Sequence, residues 1–247
     1  MIDATALGSV RTDRLNRAFD RAVGLHIRMG SRLLHSWRVF SLAAFGAATI
    51  VWVALGLARD LPVAVLPLPP VLSLAIFSVH RRHVLRSRGP VRFIFHRHLL
   101  LSALVTLPLL ALLDALSWRV VDTATPAVLI GLAVGRVGCL RAGCCVGRPA
   151  AVGPRYAWLG EGERRVPVQV LDAAACLACA GAELGILASH AAGGVATAVG
   201  FGGYFIARFF LDELRDERAR IGHWTEAQRL AIVAGAAAAA LALIALR

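Results

Sequence analysis

Residues 135–149, GRVGCLRAGCCVGRP, place three arginines and three cysteines directly after an apolar run. A guanidinium group keeps its positive charge in any environment, and its planar fork binds phosphate oxygens in pairs. Thiolates at short spacing bind metal ions, and cysteines in an oxidising compartment form disulfides. The stretch therefore predicts phosphate recognition, metal binding or disulfide chemistry. The residues concerned are Arg136, Arg141, Arg148, Cys139, Cys144 and Cys145.

A further arginine, Arg208, lies in a second apolar run, with Tyr204 one helical turn before it and Asp212 one turn after it. Arg136 and Arg208 both fall near the ends of segments that are apolar enough to cross a membrane. A charge at that depth costs about 3 kcal/mol or more unless it faces a polar cavity or a partner. The alternative is snorkelling, in which the guanidinium reaches the lipid head groups. We interpret both arginines as candidate functional residues.

The composition sets the class of protein that must position these residues. Of the 247 residues, 58% are hydrophobic and the mean hydropathy is +0.68, which is more than a soluble domain can bury. All 27 basic residues are arginines, against 15 acidic ones. This excess suits anionic lipid head groups, so the bilayer is an expected partner. Nucleic acid is not, because little of the chain offers a soluble basic face.

Seven segments meet the requirement of about 20 mostly apolar residues for a membrane-spanning helix. The sequence thus predicts an all-α integral membrane protein with seven transmembrane helices. The connections alternate between short and long, which concentrates the polar loops on the face that carries the N-terminus. The sequence PLPP in the second segment predicts a bend or break. The seven predicted spans are 39–58, 61–79, 98–117, 120–138, 167–189, 194–211 and 227–246.

Residues 1–37 form a separate basic arm, followed by a seven-span domain over 38–247. Leu15, Phe19, Val23 and Ile27 recur every four residues among arginines, which predicts an amphipathic helix on an anionic membrane surface. A solvated helix or a disordered arm is the alternative interpretation. The crowding of arginine on this side also predicts that it faces the cytoplasm.

Three segments resemble the prolipoprotein diacylglyceryl transferase family. GRVGCLRAGCCVGRP resembles its signature, in which a span ends in Gly-Arg-x-Gly and a second Gly-Arg follows about a dozen residues later. RRVPVQVLDA resembles the family's Arg-x-Pro-x-Gln-Leu-Tyr-Glu segment. GGYFIARFFLDELRDE resembles its Tyr-x-x-x-Arg-Phe-x-x-Glu-x-x-Arg segment. The three segments follow one another in the family's order.

The resemblance implies a multi-pass enzyme of the bacterial inner membrane, with the arm and the active face directed outward, opposite to the orientation that the arginines predict. The family moves the diacylglyceryl group from phosphatidylglycerol to the lipobox cysteine thiol of a prolipoprotein and releases glycerol phosphate. Arg136 and Arg208 would stabilise the charge that develops on the leaving phosphate. His96 would accept the proton of the thiol, although an interfacial histidine is the plainer interpretation. Glycines would let the backbone approach the head group. The implied binding residues are Gly135, Gly138, Cys139, Cys144, Arg148, Arg165, Gln169, Tyr204, Asp212 and Arg215.

The chain also departs from the family's pattern. Cys139 and Cys144 stand where better-known members have asparagine and glutamate, and HRH replaces His-Gly-Gly at 96–98. Leu171 and Asp172 replace Tyr-Glu. A related transferase with another peptide or small-molecule acceptor is therefore a rival interpretation. A transporter for an anionic solute is a third, although the seven spans show no internal repeat.

The cysteines are expected to bind neither a metal nor a cofactor. Cys176 and Cys179 lie in an apolar span, where cysteine behaves as a small hydrophobe, and the first cluster has no Cys-x-x-Cys pair. We expect the cluster at 139–145 to shape the pocket without acting as a nucleophile.

Overall fold

The computed structural model describes residues 4–86, 95–159, 162–189 and 193–216, and then residues 220–221, 224–225, 228–233, 235–236 and 240. The chain forms seven long helices and two small hairpins in this part. The helices are α1 Ala4–Ala22, α2 Ser36–Ala58, α3 Leu68–Arg86, α4 Phe95–Leu112, α5 Trp118–Ala142, α6 Val168–Ala188 and α7 Val195–Glu213. The strands are β1 His26–Met29, β2 Arg32–His35, β3 Arg220–Ile221 and β4 Trp224–Thr225, paired antiparallel as β1–β2 and β3–β4.

Four of the helices, α2, α5, α6 and α7, are long and apolar enough to cross a membrane. They coincide with the first, fourth, fifth and sixth predicted spans. Large apolar side chains on their outer faces are exposed, among them Leu42, Ile50 and Phe210, as expected for groups that contact lipid. The chain is therefore a multi-pass membrane protein.

The second and third predicted spans correspond to α3 and α4, whose apolar stretches are shorter, Leu68–Val79 and His98–Leu112. The predicted start of the second span at residue 61 is wrong, because residues 59–67 form a turn-rich connection. Pro69 and Pro70 lie in the first turn of α3, where a missing backbone N–H costs nothing, so PLPP begins this helix instead of bending it. Of the seventh span, residues 228–233 are helical, and most of the remainder falls outside the described residues.

Helix α5 is the centre of the bundle, because it packs against α2, α6 and α7. Its contact with α2 follows a seam of small residues. A Cβ atom added at Gly131 would lie 2.8 Å from the Ala48 Cβ, and one added at Gly138 would lie 2.4 Å from the Phe40 Cβ. Glycine is required at these positions for the two helices to approach so closely.

Helix α5 ends one turn later than predicted, at Ala142 instead of Gly138. Gly143 adopts a left-handed conformation with φ of 69°, and its N–H donates to the Cys139 carbonyl. This is the usual glycine stop signal of a helix, since a side chain disfavours that conformation. The turn directs the chain from 143 onward back across the end of the bundle.

The N-terminal arm, the 143–167 connection and the segment after α7 share one face. Gly24 donates to the Arg141 carbonyl, and Gly153 donates to the Asn16 side chain 3.0 Å away. Helix α1 ends at Ala22, so the predicted stripe does not extend to Ile27, which lies in β1. The arm therefore packs on the 143–167 connection through Asn16, and its role at a membrane surface stays a prediction.

Candidate active site

A buried carboxylate, Asp172 on α6, joins the two arginines that the sequence singled out. The Oδ2 atom of Asp172 lies 2.8 Å from the Arg136 Nε atom and 2.9 Å from the Arg208 Nη1 atom. The three side chains come from α5, α6 and α7, and 6% or less of each residue is exposed. The Nε–H of Arg136 is not aligned with the carboxylate, so this contact is an ion pair without a well-formed hydrogen bond. One oxygen thus holds both guanidinium groups in place.

A second carboxylate, Asp212, continues the network toward the polar face. Its Oδ1 atom lies 3.4 Å from Arg208 Nη2 and 3.1 Å from Arg215 Nη1, and its Oδ2 atom accepts a hydrogen bond from the Thr225 hydroxyl. Three arginines and two aspartates therefore share one cluster, which is buried except for the partly exposed Arg215. If all five are ionised, the cluster carries a single net positive charge.

The ends of α7 are fixed by contacts at both faces of the bundle. At its beginning, Asp122 of α5 accepts hydrogen bonds from the backbone N–H groups of Gly194 and Thr197, at 2.8 and 3.1 Å, and from the Thr197 hydroxyl. A neighbouring helix thereby supplies the cap that the first turn of α7 needs. In between, Phe205 and Tyr204 pack with Leu129, Leu132 and Cys176. This packing sets the position of Arg208 relative to Arg136.

Several polar atoms of the cluster have no hydrogen-bond partner among the described residues. The donors are Arg136 Nη2, Arg208 Nε, Arg215 Nε and the Tyr204 hydroxyl, and the acceptors are Asp172 Oδ1 and Gln169 Oε1. Buried polar groups are nearly always paired in a folded protein. A cluster with several unpaired donors, a net positive charge and a few acceptors is suited to an anionic ligand that also carries hydroxyl groups.

The 143–167 connection is tied to this cluster from both sides. Gln169 donates to the Cys144 carbonyl at 2.7 Å, and Gly147 forms a β-bridge with Arg215. Arg165 is buried and pairs with Asp216, whereas Arg148 is half-exposed, 3.6 Å from the Glu213 carboxylate. A Cβ atom at Gly147 would lie 2.3 Å from the Val166 carbonyl oxygen, so the two ends of the connection touch. These contacts place the connection rigidly over the ends of α5 and α7.

The last turn of α5 and this connection together gather three thiols. The Sγ atoms of Cys139, Cys144 and Cys145 all lie within 4.8 Å of one another, and each residue is partly exposed. Cys145 has a positive φ of 59°, which is unusual for a residue with a side chain. Hydrogen bonds from the Cys139 and Cys144 thiols, together with the Arg215 and Arg136 cations, hold the pKa of the Cys145 thiol well below its usual value. The spacing alone had not shown this grouping.

Other predicted residues occupy different positions. Gly138 faces α2, and a Cβ at Gly135 would meet the Ala44 Cβ at an ordinary 3.7 Å. Their role in helix packing is visible, and a contact with a head group stays a prediction. His96 is the second residue of α4, but its side chain lies outside the described part of the chain. His98 instead lies 3.2 Å from the Ser73 hydroxyl, which ties α4 to α3.

The central role of Asp172 was not predicted from the sequence, where this residue stood out only as a departure from the family's motif. The signal was present, because Asp172 and Glu183 are acidic residues inside an apolar span. The cost of burying a charge, which selected Arg136 and Arg208, applies equally to a carboxylate. Opposite charges on different apolar helices are therefore candidates for pairing.

Comparison with known proteins agrees with the resemblance. The sequence model of the prolipoprotein diacylglyceryl transferase family matches residues 95–244, which include every arginine of the cluster. The chain belongs to this family. A phosphatidylglycerol–prolipoprotein diacylglyceryl transferase of Rhodopirellula baltica is 49% identical over 37 residues, which is 15% of this chain and 8% of that protein. The match to this relative thus spans less than a tenth of its length, and membership rests on the family match.

Proposed function

We propose that this protein is a transferase of the bacterial inner membrane that moves the diacylglyceryl group of phosphatidylglycerol to a prolipoprotein cysteine thiol. Family membership supports the reaction class and favours it over the transport of an anionic solute. The observation that carries the proposal is the largely buried cluster of Arg136, Arg208 and Arg215 around Asp172 and Asp212.

The charge of the cluster suits this donor. A phosphodiester head group carries one negative charge, which equals the net positive charge of three arginines and two aspartates. The unpaired arginine donors can bind its phosphate oxygens, and the unpaired Asp172 and Gln169 oxygens can accept from the glycerol hydroxyls. Each of these atoms gains the partner that it otherwise lacks.

The same cluster can promote bond breaking. The acceptor sulfur attacks the glyceryl carbon next to the phosphodiester oxygen, a C–S bond forms, and the C–O electron pair leaves with the phosphate. The leaving glycerol phosphate gains negative charge as the bond breaks. Fixed guanidinium groups stabilise that charge without reorganising, and they do so more strongly in the transition state than in the ground state. Arg136 and Arg208 are fixed in this way by Asp172.

The acceptor requires its own test, because the chain departs from the family's pattern around the cysteines and at residues 96–98. Purified protein in phosphatidylglycerol-containing nanodiscs is incubated with a lipobox peptide, and glycerol phosphate and the thioether product are quantified. In a second reaction the peptide has serine in place of the lipobox cysteine. In a third reaction a free amine is supplied as the acceptor. We expect product from the thiol peptide alone. If release of glycerol phosphate requires the amine, the acceptor is an amine and the proposed thiol acceptor is wrong.

Conservative arginine variants test the phosphate-binding role. Arg136→Lys and Arg208→Lys keep the charge but lose the planar fork, so we expect each to lose most of its turnover while still inserting in the membrane. Arg155→Lys, at an exposed position of the 143–167 connection, is the matched control. Near-normal turnover of both buried variants would refute the phosphate-binding role.

A further inference from the structure

We propose that Cys139, Cys144 and Cys145 bind a zinc ion whose open fourth position takes the acceptor thiol. This inference rests on the proposed function for the identity of the acceptor, but the metal site itself follows from the grouping of the three thiols. Their Sγ atoms lie within 4.8 Å of one another where the last turn of α5 meets a connection that is held in place at several points.

The thiols are close to the spacing that zinc requires. Zinc–sulfur bonds of about 2.3 Å in tetrahedral geometry place sulfur atoms about 3.8 Å apart. Rotating the cysteine side chains so that their Sγ atoms move by roughly 1 Å would therefore bring the three sulfur atoms to this spacing. The backbone supports this arrangement, because the left-handed conformations of Gly143 and Cys145 turn the chain so that Cys144 and Cys145 return to the end of α5.

The ligand set favours zinc with one position left open. Three thiolates are soft ligands, and among the described residues this group contains neither histidine nor carboxylate. Zinc prefers four ligands, and sites with only three protein ligands are characteristic of catalytic zinc. Each of the three cysteine residues is partly exposed, so the site lies near the surface of the bundle, and we expect the fourth ligand to enter from that side.

The charges around the cluster are compatible with this site. Zinc with three thiolates carries a net charge of −1. Arg136 lies one turn before Cys139 on α5, and Arg215 pairs with Gly147 two residues after Cys145, so cations lie next to an anionic centre.

The position of the site relative to Arg136 gives the zinc a role in the reaction. Cys139 follows Arg136 by three residues on α5, so their side chains lie on one helix face about 5–6 Å apart at Cβ. The phosphate-binding guanidinium and the metal would thus flank the same small volume. A substrate with its phosphate on Arg136 would have its glyceryl carbon next to a thiol held by zinc.

The chemical step balances without an oxidant or reductant. The acceptor thiol loses its proton to solvent as its sulfur binds zinc, because a thiol that coordinates zinc is deprotonated. The sulfur then forms a C–S bond with the glyceryl carbon, the C–O bond breaks, and the electron pair leaves on the phosphate oxygen. One S–H and one C–O bond are exchanged for one C–S bond and one O–H bond on phosphate or water. The neutral thioether is a weaker ligand, so it can leave the zinc.

Metal content tests the site directly. Full-length protein is purified under reducing conditions without chelators, and its metals are measured by mass spectrometry. We expect one zinc per chain, and loss of most of it in Cys139→Ser, Cys144→Ser and Cys145→Ser. Cys179→Ser, which changes a cysteine of α6 outside the group, should keep the metal. Thermal unfolding in detergent checks that each variant is folded.

Cobalt substitution tests the open position. Cobalt-loaded protein should show thiolate-to-cobalt charge-transfer absorbance in the near ultraviolet, and the lipobox peptide should increase it while the serine peptide leaves it unchanged. This readout does not depend on lipid transfer. A thiol-dependent shift without phosphatidylglycerol turnover would therefore refute the proposed donor and support the zinc site.

Other outcomes overturn the inference. Absence of stoichiometric zinc, or copper or iron in its place, would show that the cysteines do not form this site, even if transfer from phosphatidylglycerol is observed. The chain has five cysteines, so three titratable thiols after denaturation would reveal a disulfide and would also overturn it. If the lipobox peptide leaves the cobalt spectrum unchanged, the role of the metal in binding the acceptor is refuted.

Discussion

Replacing Asp172 by asparagine removes the charge that Arg136 and Arg208 share and leaves the side chain nearly the same size. Only 1% of Asp172 is exposed, so solvent does not screen the change. Its two ion pairs measure 2.8 and 2.9 Å. Breaking a buried ion pair by removing one partner costs about 3–5 kcal/mol, because the remaining charge stays buried without compensation. We expect Asp172→Asn to lower the free energy of unfolding by at least about 3 kcal/mol.

The effect on turnover follows from the same contacts. Asp172 fixes both arginines, and an uncompensated pair of cations would separate or draw in water. Each 1.4 kcal/mol corresponds to a factor of ten, so about 3 kcal/mol reduces the population of the paired arrangement roughly a hundredfold. We expect kcat/KM for transfer from phosphatidylglycerol to fall by a similar factor or more.

Thermal unfolding in detergent and release of glycerol phosphate measure the two effects separately. Asp20→Asn is the matched control, because it makes the same chemical change in an exposed ion pair with Arg164. Exposed pairs contribute about 0–1 kcal/mol, so this variant should be nearly unaffected in both assays. Asp172→Glu keeps the charge and should retain more activity than Asp172→Asn. An asparagine variant as stable and active as the parent protein would refute the role assigned to Asp172.

Two further predictions concern packing and pH. Gly138→Ala would place a Cβ 2.4 Å from that of Phe40 and should destabilise the protein by about 1–3 kcal/mol. Gly181→Ala on α6 is the control, because its Cβ would meet open space and should leave the stability unchanged. Equal unfolding temperatures of the two variants would contradict the predicted clash at Gly138. A hydrogen bond from Arg164 holds the pKa of Asp20 below its usual value. Its contribution to the docking of α1 is therefore complete above about pH 4 and is lost as the pH falls through the lower, folded pKa. Proteolysis of α1 should increase only at that acidic pH, and a constant cleavage rate would argue against the pair.

The candidate arginines could be predicted from the sequence because the energetic argument concerns one residue at a time. A charge in an apolar span must be compensated wherever it lies, so Arg136 and Arg208 stand out without knowledge of the fold. Their partner could not be chosen in the same way. Pairing with Asp172 depends on the rotation of α6 against α5 and α7, which packing of the three helices decides.

The spans were predicted correctly where length and hydropathy suffice, as for α2, α5, α6 and α7. The errors lie at helix ends. From hydropathy, α5 was expected to end at Gly138. The helix instead continues to Ala142 and is terminated by Gly143, which has a left-handed backbone conformation. The second span was placed too early because residues 61–67 are apolar yet form turns. Backbone conformation, which hydropathy does not measure, sets both boundaries.

The spatial grouping of the three thiols could not be predicted for a related reason. Cysteines at 139, 144 and 145 do not follow the usual Cys-x-x-Cys spacing, so their pattern in the sequence argued against a metal site. The last turn of α5 and the reversal at Gly143 bring residues five and six positions apart to the same place. A helix followed by a tight turn can thus assemble a site from a spacing that would separate the same residues in a continuous helix or a strand.

The beginning of α7, which is remote from the arginine cluster, also affects the site, because the position of Arg208 depends on where this helix begins. Asp122 holds Gly194 and Thr197 at the opposite face, eleven residues before Arg208, which corresponds to about 16 Å along a helix. A helix transmits an axial shift along its length, so any movement at Thr197 would move the guanidinium relative to Asp172. Asp122 and Asp172 therefore act together: the first fixes α7 along its axis, and the second fixes the arginine at its end. The phosphate-binding geometry requires both.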